Sequence, residues 1–93
     1  MKAVSRKAAR SAFYDLFSAE EAAELEMRAT LLRGLQSWLD NGIMTQVAAA
    51  ELLSTTQARI SDIKRGQINK FSLDLLVRLA ARAGLHPELK LVA

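Results

Sequence analysis

The chain contains no cysteine, which excludes disulfides and thiolate metal sites and fits a reducing compartment. It has one histidine, so nucleophile–base pairs have almost no material and an enzyme is not expected. That histidine, His86, stands before the single proline, Pro87, and reads as an exposed or capping residue in a turn. Neither a glycine-rich phosphate loop nor a metal-ligand spacing occurs, so no cofactor and no metal are expected. No apolar run approaches the length of a membrane span. The basic N-terminus is not followed by a continuous hydrophobic segment, so no secretory signal is read and a cytoplasmic location is expected. Aromatic residues are scarce, at 5%.

What remains is mostly alanine and leucine, a helix-forming composition, in 93 residues that suffice for one core. The net charge of +3 is unevenly placed. Lys2, Arg6, Lys7 and Arg10 open the chain with no acid among them. Asp15, Glu20, Glu21, Glu24 and Glu26 follow against Arg28 alone. Further on, Arg59, Lys64, Arg65 and Lys70 surround the single acid Asp62. A basic patch on one short segment points to an anionic partner more clearly than the whole-chain charge does.

Residues 1–12 mix basic, serine and alanine residues without an apolar period and read as a flexible basic arm, with the folded domain spanning 13–93. Phe13, Leu16 and Phe17 offer apolar groups to pin the arm to the body. Ser18-Ala-Glu-Glu21 fits a capping box, and the nearby carboxylates suit the positive end of a helix dipole. The helix begun there runs to about Asp40 and stops at Asn41-Gly42. Leu25, Ala29, Leu32, Leu35 and Leu39 share its core face. Met27, Leu31 and Trp38 form a second apolar seam, which packs either under the arm or tail or against another chain. Near the end, Ser72 caps a helix to Ala83 whose buried face is Leu73, Leu76, Val77 and Ala80, with Gly84 as its stop. Glu88-Leu-Lys-Leu91 alternates and predicts a short strand, which would pair with the same strand of a second molecule. Trp38, Leu89 and Leu91 are therefore the dimer candidates.

Between these helices lie two short ones with almost no linker. Thr45 caps the first, with Val47, Ala50 and Leu53 inward; Thr56 caps the second, with Ile60 and Ile63 inward. The loop Ser54-Thr55 is too short for a relaxed antiparallel hairpin, and a small Ala50 permits close crossing at a sharp angle. That pattern predicts a helix-turn-helix. With the isoleucines inward, Gln57, Ala58, Arg59, Ser61 and Asp62 fall on the outside or flank of the second helix. In a major groove, glutamine pairs with adenine, arginine with guanine, and an alanine methyl meets thymine; Asp62 either accepts from cytosine or pairs with Arg59 or Arg65. Gln57, Ala58, Arg59 and Asp62 are thus the base-reading candidates. Gln46, Thr56, Ser61, Lys64, Arg65 and Lys70 are the phosphate-binding candidates.

Thr45-Gln46…Ala50…Leu53 followed by Thr56-Gln57…Ile60…Ile63…Gly66 resembles the helix-turn-helix of the phage-repressor-like XRE family. The acidic start Ser18–Glu26, the run from Ile60 to Asp74 and the tail Glu88–Val92 resemble the HigA-like antitoxins of bacterial toxin–antitoxin operons. The resemblance implies a small all-α, five-helix, lambda-repressor-like domain, to which the alternation at Glu88–Leu91 adds a short C-terminal strand. It also implies a homodimer on a palindromic double-stranded DNA operator, repression of its own operon, and neutralisation of a ribonuclease toxin of the RelE/HigB kind. In that family the positions of Gln57, Ala58 and Arg59 commonly read bases, and that of Gln46 touches a phosphate. Ser54 departs from the pattern, standing where glycine is frequent and φ > 0 is favoured. Ala48 departs too, leaving Thr45 to cap without an acidic partner. A free-standing repressor without a toxin, and a module that only binds a toxin, are the alternatives. The basic arm has three readings: insertion into a minor groove, contact with the toxin, or simple solvation.

Overall fold

The structure is a computed structural model and describes residues 18–93. Four α-helices occur among them: α1 (Ala19–Asn41), α2 (Gln46–Leu52), α3 (Gln57–Lys64) and α4 (Leu73–Arg82). A 3-10 turn, Ile68–Lys70, separates α3 from α4. The expected arm, residues 1–12, and the expected pinning groups Phe13, Leu16 and Phe17 lie outside the described residues.

Each helix begins where its cap dictates. The Ser18 hydroxyl accepts from the Glu21 amide at 3.1 Å, and the Glu21 carboxylate accepts from the Ser18 amide at 3.1 Å, completing the capping box of α1. Ser72 accepts from the Leu75 amide at the start of α4. At its other end α4 closes on Gly84, whose φ of 84° lets the Gly84 and Leu85 amides reach back to the carbonyls of Ala81 and Ala80.

The core lies where α1, α3 and α4 converge over the small face of α2. Leu32, Leu35 and Leu39 from α1 meet Ala49 and Ala50, Leu53, Ile60 and Ile63, Phe71, and Leu76, Leu79 and Ala80. Alanine at 49 and 50 lets α2 and α3 approach closely, because a larger side chain there would separate them. Leu31 and Trp38, two members of the second seam, pack against this core, whereas Met27 stays partly exposed.

Three expectations are corrected. The five-helix domain with a terminal strand is replaced, among the described residues, by four helices, a 3-10 turn and no strand. Residues 88–91 alternate but, among the described residues, have no edge to pair with, and a strand cannot satisfy its own backbone groups. Leu89 and Leu91 are therefore exposed, at 68% and 85%. Val47, expected inward, is half exposed: Ala49, Ala50 and Leu53 define the buried arc of α2, and Val47 falls about 115° from its middle at the helical period. Val77 is exposed for the same reason, since Leu79 draws the buried arc of α4 away from it.

Candidate nucleic-acid interface

The approach to the interface is set by the turn between α2 and α3. Leu53 ends α2, and Ser54 adopts φ 53°, the left-handed conformation its position was expected to need. The Ser54 amide then donates to the Glu51 carbonyl at 3.1 Å, and the Thr55 amide to the Ala50 carbonyl at 2.8 Å. Thr56 follows at once as the cap of α3, its hydroxyl accepting from the Arg59 amide at 3.1 Å. Thr45 does the same for α2, accepting from the Ala48 amide at 3.1 Å. Arg82 of α4 donates to the Leu53 carbonyl at 3.0 Å, a clamp on the turn from a helix distant in sequence.

Ile60 and Ile63 of α3 are fully buried, so the opposite face is presented outward. Gln57 and Ala58 are exposed there, Ser61 is partly exposed, and Lys64 and Arg65 are exposed at the C-terminal end. Gln46 is exposed at the first turn of α2, and Thr56 is exposed at the first turn of α3. Lys70, on the 3-10 turn, is exposed and close to the end of α3. The arrangement is a short protruding helix with a polar tip and a cationic far end, which suits a major groove flanked by phosphates.

Two of the four base-reading candidates, Asp62 and Arg59, make contacts within the chain. Asp62 is buried, not displayed. Its carboxylate accepts from Arg65 at 2.7 Å and lies 3.7 Å from the Lys70 ammonium. The hydrogen bond from Arg65, together with the nearby charges, holds the Asp62 carboxyl below its ordinary range against the opposing effect of desolvation. This is the pairing with Arg65 that the sequence left as one alternative, with the carboxylate buried. Arg59 lies only about 40° around α3 from Ile63 and so leaves the helix on its flank. Its guanidinium donates to the Lys70 carbonyl at 2.6 Å and sits over the Phe71 ring, 5.4 Å from the centroid.

Several residues that organise the site carried no signal in periodicity. Phe71 is buried and anchors the segment after α3. Arg28 of α1 reaches the same segment, donating to the Ile68 carbonyl at 3.3 Å and the Phe71 carbonyl at 3.4 Å. Gly66 turns the chain out of α3 with φ 68°, and a side chain there would also meet Gln36 at 3.2 Å. Arginine in a helical sequence is compatible with any exposed face, so only the fold reveals which carbonyl it meets. Among the described residues no cluster of histidine or carboxylate groups is placed to hold a metal ion, and no helix is long and apolar enough to cross a membrane.

A protein-family profile described as a helix-turn-helix domain matches residues 12–91, nearly the whole chain. The chain belongs to the helix-turn-helix domain family. No curated protein sequence matches it. As a helix-turn-helix domain it has the geometry for docking α3 on duplex DNA, with α2 crossing the backbone beside it.

Proposed function

We propose that this helix-turn-helix domain is a sequence-specific transcriptional repressor of the XRE type, acting as a homodimer on a palindromic operator. The observation that carries the reading is the outward tip of α3, where Gln57 and Ala58 stand exposed ahead of Lys64, Arg65 and Lys70. Gln57 is the reader of adenine and Ala58 the contact for a thymine methyl. Gln46, Thr56, Ser61, Lys64, Arg65 and Lys70 form the phosphate row on either side. Asp62 is assigned to ion pairing with Arg65 and Lys70. The residue types favour DNA over an acidic protein surface, because a glutamine–alanine tip between cations matches base edges between phosphates.

A second surface supports a protein partner. A groove of about 510 Å³ runs between the first half of α1, the start of α4 and the tail. Met27, Leu31, Leu73, Val77 and Leu89 line it, so it is largely apolar. A second copy of the chain in a homodimer, or the toxin of a HigA-like pair, is the proposed occupant, and the antitoxin role rests on this face and on the likeness of the sequence.

The deciding experiment is fluorescence anisotropy on DNA from just upstream of the gene, with a shuffled duplex as control, at two salt concentrations. The expected result is preferential binding that weakens with salt, log K falling by about 0.9 per neutralised phosphate for each decade of salt. Equal affinity for both duplexes at both salts would overturn the repressor reading. Sedimentation then separates a homodimer from a monomer, and growth rescue on co-expression with the neighbouring gene tests the antitoxin role.

A further inference from the structure

We propose that Arg59 is a positioning residue which locks the 3-10 turn, and with it Lys70, against the recognition helix, and does not read a base. The inference rests on the DNA reading above and changes what one of its central residues does.

The turn after α3 is held by its carbonyl groups. Arg28 from α1 takes those of Ile68 and Phe71, and Arg59 takes that of Lys70 at 2.6 Å. The Arg59 guanidinium also covers the ring of Phe71, whose buried side chain ties the turn to the core. Lys70 is fixed twice, by its carbonyl on Arg59 and by its ammonium 3.7 Å from Asp62. A bidentate guanine contact would compete with the Phe71 face and the Lys70 carbonyl for the Arg59 guanidinium. The carbonyl would then lose a charge-assisted partner, offsetting what the base contact supplies. Its direction around α3 agrees, because Arg59 sits on the flank near Ile63, while Ala58 and Ser61 point away from the core. The cationic end of the interface is therefore pre-set before DNA arrives, through Arg59.

The test uses Arg59→Ala, Arg59→Lys, Lys70→Ala and the double variant Arg59→Ala/Lys70→Ala. Without DNA, hydrogen exchange of the Lys70 and Phe71 amides, which donate to Gln67 and Ile68, should accelerate severalfold in Arg59→Ala. Exchange in α1 and α4 should be unchanged, and Arg59→Lys, which keeps a charge and a donor, should restore part of the protection. With the upstream and shuffled duplexes, Arg59→Ala should weaken both by the same factor. The double variant should then bind no worse than Arg59→Ala alone.

A base reader behaves differently: preference for the upstream duplex over the shuffled one would fall about five- to 150-fold, the turn amides would be unaffected, and the losses at 59 and 70 would add. That outcome overturns the proposal. Unchanged amide exchange in Arg59→Ala overturns it as well, whatever the DNA result. Failure of the unaltered protein to bind any duplex would instead overturn the DNA reading and the turn's role as a phosphate contact. The exchange data would still decide whether Arg59 holds the turn.

Discussion

Arg82, in the last turn of α4, donates to the carbonyl of Leu53, the residue that ends α2, at a distance of 3.0 Å. The contact joins two positions 29 residues apart and satisfies a carbonyl that the end of a short helix leaves without an intrahelical partner. Arg82→Ala should destabilise the domain by about 1 kcal/mol, below the usual value for a bond to a charged group because the arginine is exposed. In a domain of this size that lowers the Tm by roughly 4–8 °C. Thermal unfolding followed by circular dichroism checks it, and an unchanged Tm would remove the clamp.

Ser54 holds φ 53° at the turn between α2 and α3. A β-carbon strains that conformation, so Ser54→Gly should stabilise the domain by about 1 kcal/mol. Ser54→Val should destabilise it by more than that, since branching at Cβ worsens the clash. Urea titration of the two variants measures both signs. A glycine variant less stable than the parent would mean that serine supplies a contact beyond its backbone.

Asp62 is held by Arg65 and Lys70 in the folded chain, and the Arg65 hydrogen bond is the largest cause of its lowered pKa, from an ordinary 3.8. A folded-state pKa below the unfolded value contributes stability that is fully present above the unfolded pKa. It is lost as pH falls through the lower folded value. Asp62→Asn should therefore be less stable than the parent at neutral pH, with the gap narrowing below about pH 4. Stability curves across the acid range, at low salt, measure it. A gap that stays constant down the acid limb would show that the charge on Asp62 does not act.

Gln57 is exposed at the first turn of α3. As a base reader, its replacement by alanine should cost about 1–3 kcal/mol on the upstream duplex and little on a shuffled one. Competition anisotropy at fixed salt distinguishes this from a phosphate contact, which would weaken both duplexes equally.

The caps at Ser18, Thr45, Thr56 and Ser72 stand where the sequence placed them. Their legibility is physical: a side-chain oxygen that satisfies an amide three residues on is a short-range interaction, complete within one turn of chain. Ile60 and Ile63 were readable for the same reason, as neighbours on one face of a short capped helix. Val47 and Val77 were not, because two overlapping apolar arcs fit each helix and only the neighbouring elements choose between them. The alternation at Glu88–Leu91 is genuine, but a strand is made by its pairing partner, and the described residues supply none.

By itself the sequence determined the helix-turn-helix: where its helices start, which small residues let them cross, and that a glutamine, an alanine and several cations cluster around α3. Local periodicity and capping suffice for that. Tertiary structure alone decided that Arg59 and Asp62 both meet Lys70, beyond the end of α3. Only once Gly66 reverses the chain and Phe71 enters the core do the Lys70 carbonyl and ammonium arrive beside them. A charged side chain on a helix flank takes the partner that folding brings within reach, and no spacing along the chain contains that distance.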